Sequence, residues 1–539
     1  MKRRAFLTTT TFATVGLSTV FISGCDTGKK KENLDSSFDS CKLFELNEET
    51  ISSLVDKLNS GTYSSEQLVT LYMQRIEAID KKGPKLNSII ELNPDALSIA
   101  KIMDLELKSN KRRGPLHGLP VLIKDNIDTA DKMQTTAGSI ALNGNIASKD
   151  AYIVTKLREA CAIILGKTNL SEWANFRSNK SCSGWSSRGG QTKNPYFLDR
   201  NPCGSSSGSG VAVAANLCVV SVGTETDGSI VCPASVSGVV GIKPTVGLVS
   251  RTGIIPISKT QDTAGPMART VKDAAILLGV LASVDLTDAI SKESNGKGYK
   301  DYTKFLEIDA LKGKRIGIEK KQQGDNKYVN TLLDETLNLL KKKGAILIAI
   351  EYQDKINALG DAEFEVLQYE FKDGLNLYLS SSIATVKSLK EVIAFNNDHE
   401  DRAMPYFKQE LLESSNAKNS LDDKKYLDAY EKSYTESRKI LNTIFSDHKL
   451  DAICGITMGP TCSIDPIYGD RWGDYSLSTP AAIIGYPHVT VPCGSVYDLP
   501  VGFSFFGTAY TEDKLIALAY AYEQASKKRV KPEFKTTFV

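Results

Sequence analysis

Apolar positions change period along this chain, and the changes mark its elements. Ser64 and Gln67 stand at capping-box spacing, and Leu68, Leu71, Tyr72, Ile76 and Ile79 recur at helical intervals. That pattern predicts a helix from Ser64 to about Lys81. The apolar run at 119–123 reads as a buried strand leading into Lys124. Tyr152 to Ala160 reads as a helix, and Cys161 to Leu165 as a strand before Gly166. The small-residue run from Val211 to Val222 suits a tightly packed helix followed by a strand. This alternation predicts an α/β layered core.

Further along, strands are predicted at Arg315–Glu319 and Ile346–Glu351, and helices at 327–342, 361–373 and 421–445. Strands and loops return at Asp451–Gly455, His488–Val491 and Gly502–Phe506. A last helix over about 512–527 carries Leu515, Leu518, Ala519 and Tyr522. No internal repeat is visible. The reading is one large domain over 43–539, with the mainly helical stretch at about 295–445 as an insertion or cover. A separate middle domain is the alternative.

The first residues fit an address better than a fold. Met1-Lys2-Arg3-Arg4 is basic, Ala5 to Ile22 is apolar and Thr-rich, and Ser23-Gly24-Cys25 follows. That order describes a secretory signal over 1–25. Ile22-Ser23-Gly24-Cys25 also resembles a bacterial lipobox, in which the cysteine is lipidated, and Arg3-Arg4 resembles a twin-arginine export pair. A plain transmembrane anchor fits the threonines less well. Residues 26–42 are polar and suit a tether. The expectation is an exported enzyme, anchored as a lipoprotein through Cys25 on the periplasmic or cell-surface side.

Composition narrows the chemistry. A formal net charge of +2 gives no electrostatic footprint for nucleic acid. The four histidines (His117, His399, His448, His488) are scattered, and no CxxC pair occurs among the ten cysteines, so no local metal-ligand motif is present.

Three stretches carry candidate chemistry. Lys124 ends an apolar run, where burying an ammonium is costly. Its plain alternative is a strand-end lysine reaching solvent. Pro202-Cys203-Gly204-Ser205-Ser206-Ser207-Gly208-Ser209-Gly210 and Gly223-Thr224-Glu225-Thr226-Asp227-Gly228-Ser229-Ile230 are Gly/Ser loops flanking the apolar run. Backbone N–H groups in such loops can converge on an anion.

Together these stretches resemble the amidase-signature family: a lysine after an apolar strand, a Gly/Ser loop, then a Gly-Thr-rich loop ending in serine and isoleucine. Pro233-Ala234, Gly238 to Thr245, Gly247, Gly485-Tyr486-Pro487, Thr490-Val491-Pro492 and Leu499 to Gly502 match as well. The resemblance covers about 45–535. Within the family it points to bacterial peptide amidases, through Gly166 to Phe176, Gly189 to Thr192 and the Thr-Glu-Thr-Asp form of the second loop.

The resemblance implies a large mixed β-sheet covered by helices on both faces. It implies hydrolysis of the C-terminal carboxamide of peptides to acid and ammonia through an acyl-enzyme. Ser229 would be the nucleophile, Ser205 the bridging serine after a cis peptide, and Lys124 the base. The N–H groups of Thr226, Asp227, Gly228 and Ser229 would form the oxyanion hole. No cofactor, metal or obligate protein partner is implied. A lysine can act as base only if burial brings its pKa to about 7–8, which disfavours the charge by about 4 kcal/mol.

Asp227 and Ser207 stand where the wider family has glycine. The alternatives are an amidase for small aliphatic or aryl amides, a peptide-binding lipoprotein without activity, or one component of an amidotransferase for charged tRNA. Gly204-Ser205-Ser206-Ser207-Gly208 also fits a nucleophile elbow centred on Ser206, but Arg188–Pro202 before it is polar rather than a strand.

Overall fold

A computed structural model describes residues 44–321 and 324–538. The stretches expected to be an export signal (1–25, with Cys25) and a tether (26–42) lie outside the described residues. Near the start, the Ser64 hydroxyl accepts from the Gln67 N–H and Gln67 Oε1 accepts from the Ser64 N–H, so the predicted capping box opens the helix Ser65–Arg75. The chain continues as a π-helical turn, Ile76–Lys81.

Among the described residues thirteen strands follow. They are β1 (Ile89–Leu92), β2 (Pro120–Lys124), β3 (Ile163–Thr168), β4 (Trp185–Ser186), β5 (Gly190–Gln191), β6 (Val220–Glu225), β7 (Val240–Lys243), β8 (Thr263–Ala268), β9 (Arg315–Glu319), β10 (Ile346–Ile350), β11 (Ala452–Met458), β12 (His488–Val496) and β13 (Leu499–Phe506). β4 and β5 form a small hairpin. The other eleven build one sheet in the order β1-β3-β2-β6-β8-β7-β12-β13-β11-β9-β10. The sheet is mixed: β3, β2 and β6 run parallel, the centre is antiparallel, and β11, β9 and β10 are parallel again. Helices cover both faces and their apolar sides close the core.

Placement of the chemistry follows from the parallel trio. Ile123 of β2 pairs in register with Val222 of β6. The carboxyl ends of these strands therefore lie side by side, with Lys124 at one and the Thr226–Ser229 loop leaving the other. Ligands bind at such strand ends in open α/β sheets.

The stretch 295–445 is divided in role. β9 and β10 complete one edge of the main sheet. The helices Gly360–Ser381, Leu389–Asp398 and Glu410–Asn416 bring Phe371, Leu375, Leu379, Leu389 and Leu412 against Trp173, Phe176, Ile255 and Ile257. The helix expected at 361–373 is longer than its apolar pattern. The helix expected at 421–445 is two α-helices, Lys424–Tyr430 and Ser437–His448, joined by a π-helical turn at Glu431–Glu436.

The helix expected to begin at Val211 begins at Ser207. Its Gly-Ser start is polar in pattern but wholly buried. A Cβ on Gly208 would stand 2.2 Å from the Ser88 carbonyl and 2.5 Å from that of Asn169. Close backbone approach, rather than helix propensity, explains the residue choice there.

Candidate active site

Lys124 is completely buried at the end of β2. Its Nζ lies 2.7 Å from Ser205 Oγ, 2.9 Å from Thr224 Oγ1 and 3.2 Å from the Thr224 carbonyl. Among the described residues no carboxylate lies within ion-pair distance of it. Burial pulls its pKa down to about 7, against the more distant opposing charges of Asp262 and Glu225. Asn126 Nδ2 donates to the same Thr224 hydroxyl at 3.1 Å.

Ser205 follows the cis Gly204–Ser205 peptide. The Ser171 N–H donates to its carbonyl at 3.1 Å. The Ser206 hydroxyl accepts from the Thr224 N–H at 3.1 Å and donates to the Thr224 carbonyl at 2.9 Å. The Ser206 N–H donates to the Ser229 carbonyl at 3.2 Å. The two serine loops are therefore laced together backbone to backbone. Ser206 is committed to this lacing, and the described residues place no histidine against it, so the elbow alternative has no base.

Ser229 is buried apart from a small exposed fraction. Among the described residues its hydroxyl makes no hydrogen bond. The Lys124–Ser205 contact of the expected relay is formed in this structure, and the Ser205–Ser229 contact is not.

The loop before Ser229 has a distinct division of donors. Glu225 Oε2 accepts from the N–H groups of Ile230 and Val231 at 2.7 and 3.0 Å. The N–H groups of Thr226, Asp227, Gly228 and Ser229 find no acceptor among the described residues. Four successive free donors are the raw material of an anion site. Gly228 at φ +76° permits the bend, and a Cβ there would lie 2.8 Å from Cys232 Sγ. Asp262 Oδ1 accepts from the Thr226 hydroxyl at 2.6 Å, and Asp227 Oδ2 from the Thr479 hydroxyl at 2.6 Å. Burial raises both carboxyls, Asp262 to about 6.

Beside this centre opens a cavity of about 740 Å³. Asn126, Thr224 and Thr226 line its inner end, and Ile254, Ile255, Pro256, Ile257, Leu377 and Tyr378 give it apolar walls. That size suits a small-molecule or short-peptide site.

The structure thus gathers Lys124, Ser205, Ser229 and the loop 226–228, all singled out from sequence. Gln261 and Asp262, which contact the loop, were not. Strand pairing brings them there: Glu225 of β6 faces Thr263 of β8. Their only sequence signal is a polar pair immediately before an apolar segment. A different group, Glu106, His117 and Cys161, brings ligand atoms within 4.8 Å of one another. Arg113 holds the Glu106 carboxylate at 2.9 Å, and its N–H donates to His117 Nδ1 at 3.2 Å, so two of these groups are already engaged.

Comparison with known proteins adds three kinds of relative. The family model for Amidase matches residues 67–516. A probable amidase of Arabidopsis thaliana is 43% identical over 506 residues, covering 91% of this chain and 92% of its own. A component of the glutamyl-tRNA(Gln) amidotransferase of Clostridium botulinum is 32% identical, with coverage of 89% and 98%. The crystal structure of the peptide amidase from Stenotrophomonas maltophilia is similar, with TM-score 0.87 and 47% identity, covering 92% of this chain and all of that one.

Proposed function

The chain belongs to the amidase-signature family, and on that premise we propose that this amide hydrolase cleaves the C-terminal carboxamide of short peptides to free acid and ammonia. One observation carries the reading: four unengaged N–H groups beside a buried lysine that touches a serine hydroxyl. The roomy, apolar-walled cavity supports a peptide over a small aliphatic amide, and so does the likeness to a peptide amidase.

Uncharged, the Lys124 amine has two N–H groups and one lone pair. Two N–H groups match the hydroxyl and carbonyl of Thr224, and the lone pair matches the Ser205 hydroxyl. Ser205 passes its proton to Lys124 as it takes the proton of Ser229. The relay needs the Ser205–Ser229 contact, which a turn of the free Ser229 hydroxyl toward Ser205 would have to make. Ser229 Oγ then attacks the carboxamide carbon, and the carbonyl oxygen gathers negative charge facing the N–H groups of residues 226–229. The proton held on Lys124 returns through Ser205 to the leaving nitrogen. Ammonia departs, and water repeats the sequence on the acyl-enzyme.

The test is ammonia release from amidated dipeptides and from simple aliphatic and aryl amides, by wild type and Ser229→Ala. The reading expects release from the dipeptides, and none by the variant. Equal turnover of acetamide-sized substrates would replace the peptide reading with that of a small-amide amidase. No release from any amide would leave a binding protein. We further propose that the chain is exported and held at a membrane by a lipidated Cys25, a reading supported by the sequence of 1–25. Cys25→Ala then frees the protein from the membrane fraction, and unchanged membrane association would remove it.

A further inference from the structure

The peptide unit joining Thr226 to Asp227 is gripped from outside its own loop. We infer, resting on the oxyanion reading above, that Gln261 is a positioning residue whose side-chain amide, steadied by Glu363, aims the Asp227 N–H at the reacting oxygen.

Among the described residues the only cis peptide is Gly204–Ser205, so the Thr226–Asp227 unit is trans. In a trans unit the C=O and N–H point to opposite sides of the chain. Whatever holds the Thr226 carbonyl outward therefore turns the Asp227 N–H inward. Gln261 Nε2 lies 3.4 Å from that carbonyl, and donates to Glu363 Oε1 at 2.8 Å. Both side chains are buried.

A primary amide suits this place because it offers two donors on one nitrogen, about 120° apart, which can span a carboxyl and a carbonyl. Leucine offers none, and glutamate would set an acceptor against both. The 3.4 Å contact is long, so its effect is on orientation more than on stability. Such contacts tighten when substrate completes the site.

Neighbouring grips fix the remaining freedom of the loop. Asp262 holds the Thr226 hydroxyl with Oδ1, while its Oδ2 accepts from the N–H groups of Ile257 and Ser258, both at 2.8 Å. Thr479 holds the Asp227 carboxylate from the other side. Among the described residues the Gln261 side chain hydrogen-bonds neither Lys124 nor Ser205 nor Ser229, so it acts through the loop. Glu363 sits on the helix Gly360–Ser381, whose Gly374, Leu377 and Tyr378 also line the cavity. The same helix thus borders the substrate space and steadies the oxyanion donor.

Steady-state kinetics on an amidated dipeptide decide the matter for Gln261→Leu, Glu363→Leu and Glu363→Gln. They are read beside the affinities of two inhibitors, a peptide aldehyde and the product peptide acid. The aldehyde adds the Ser229 hydroxyl reversibly: a C–O bond forms, the carbonyl π bond opens, the Ser229 O–H bond breaks with its proton passing through Ser205 to Lys124, and the resulting oxyanion faces the hole. Gln261→Leu should lower kcat about 10- to 100-fold with KM within about twofold, because the lost alignment matters only in the transition state. Aldehyde affinity should fall by a similar factor and acid affinity should hold. Glu363→Leu should move the same readouts less, and Glu363→Gln, which keeps an acceptor, should restore them. Wild-type kcat in Gln261→Leu, or equal losses for aldehyde and acid, would overturn the inference. If Gln261→Leu does not fold, the contrast between the two Glu363 variants decides on the same readouts. A wild type that releases no ammonia from any amide overturns the proposed function as well, which separates the two failures.

Discussion

Lys124 and Lys243 are both fully buried, and each ends a strand of the same sheet. Burial lowers both, Lys124 to about 7 and Lys243 to about 8. Their surroundings separate them. Lys243 Nζ donates to the Tyr486 carbonyl at 2.7 Å and lies among the charges of Glu225, Glu512 and Asp227. Among the described residues it hydrogen-bonds only carbonyls, those of Pro244 and Tyr486, and balances buried acids that shape the neighbouring loop. Lys124 faces two hydroxyls and one carbonyl, and one of the hydroxyls leads to the second serine loop. Desolvation makes an amine available as a base, and contact with a transferable proton makes it useful as one.

The comparison can be broken most directly at Lys124. Lys124→Met should cost at least about 10³-fold in kcat/KM, the order seen when a member of a nucleophile–base unit is lost. Its thermal midpoint at pH 6 should not fall below that of wild type, because a buried ammonium with no carboxylate beside it opposes folding there. A calorimetric scan beside an ammonia assay checks both. Lys243→Met should show the opposite balance: a loss of about 3 kcal/mol of stability from uncompensated buried acids, with kcat of the folded fraction within about tenfold. Denaturant titration separates the two lysines.

The pH response sharpens the contrast. In the proposed mechanism Lys124 acts only when neutral, so kcat/KM should rise with pH through about 7 and level above it. Stability moves in the same direction. The folded pKa lies below the unfolded one, so the unfolded chain binds the extra proton between about 7 and 10.5. This residue's contribution to stability therefore improves across that window and is least favourable below it. A rate profile flat from pH 5 to 9 would remove Lys124 as base. The smallest effect is expected from Thr224→Val, which removes one of the three groups around Nζ and leaves the shape. A loss of up to about tenfold in kcat is expected from steady-state assays.

Local patterns carried much of this. Lys124, Ser205 and residues 226–229 each sit in a short stretch whose residue types are odd for a core or a linker; the structure places Lys124 and the 226–229 loop at adjacent strand ends, with Ser205 against Lys124. What stayed hidden was long-range or against propensity. Gln261 and Asp262 reach the loop through the antiparallel pairing of β6 and β8, and no local spacing encodes that pairing. The helix starting at Ser207 has a Gly/Ser opening that periodicity reads as loop, because its composition answers to neighbouring backbone. The sequence pattern predicts strands at β9 and β10, but their place on the main sheet is a property of the assembled fold.

Catalysis by this relay depends on the charge state of one amine. Proteins labelled with 13Cε-lysine can be titrated by NMR, with the Lys124 resonance identified as the signal missing from Lys124→Met. An amine that loses its proton near pH 7 is predicted. One that keeps it up to the ordinary lysine range, near about 10.4, would contradict the mechanism.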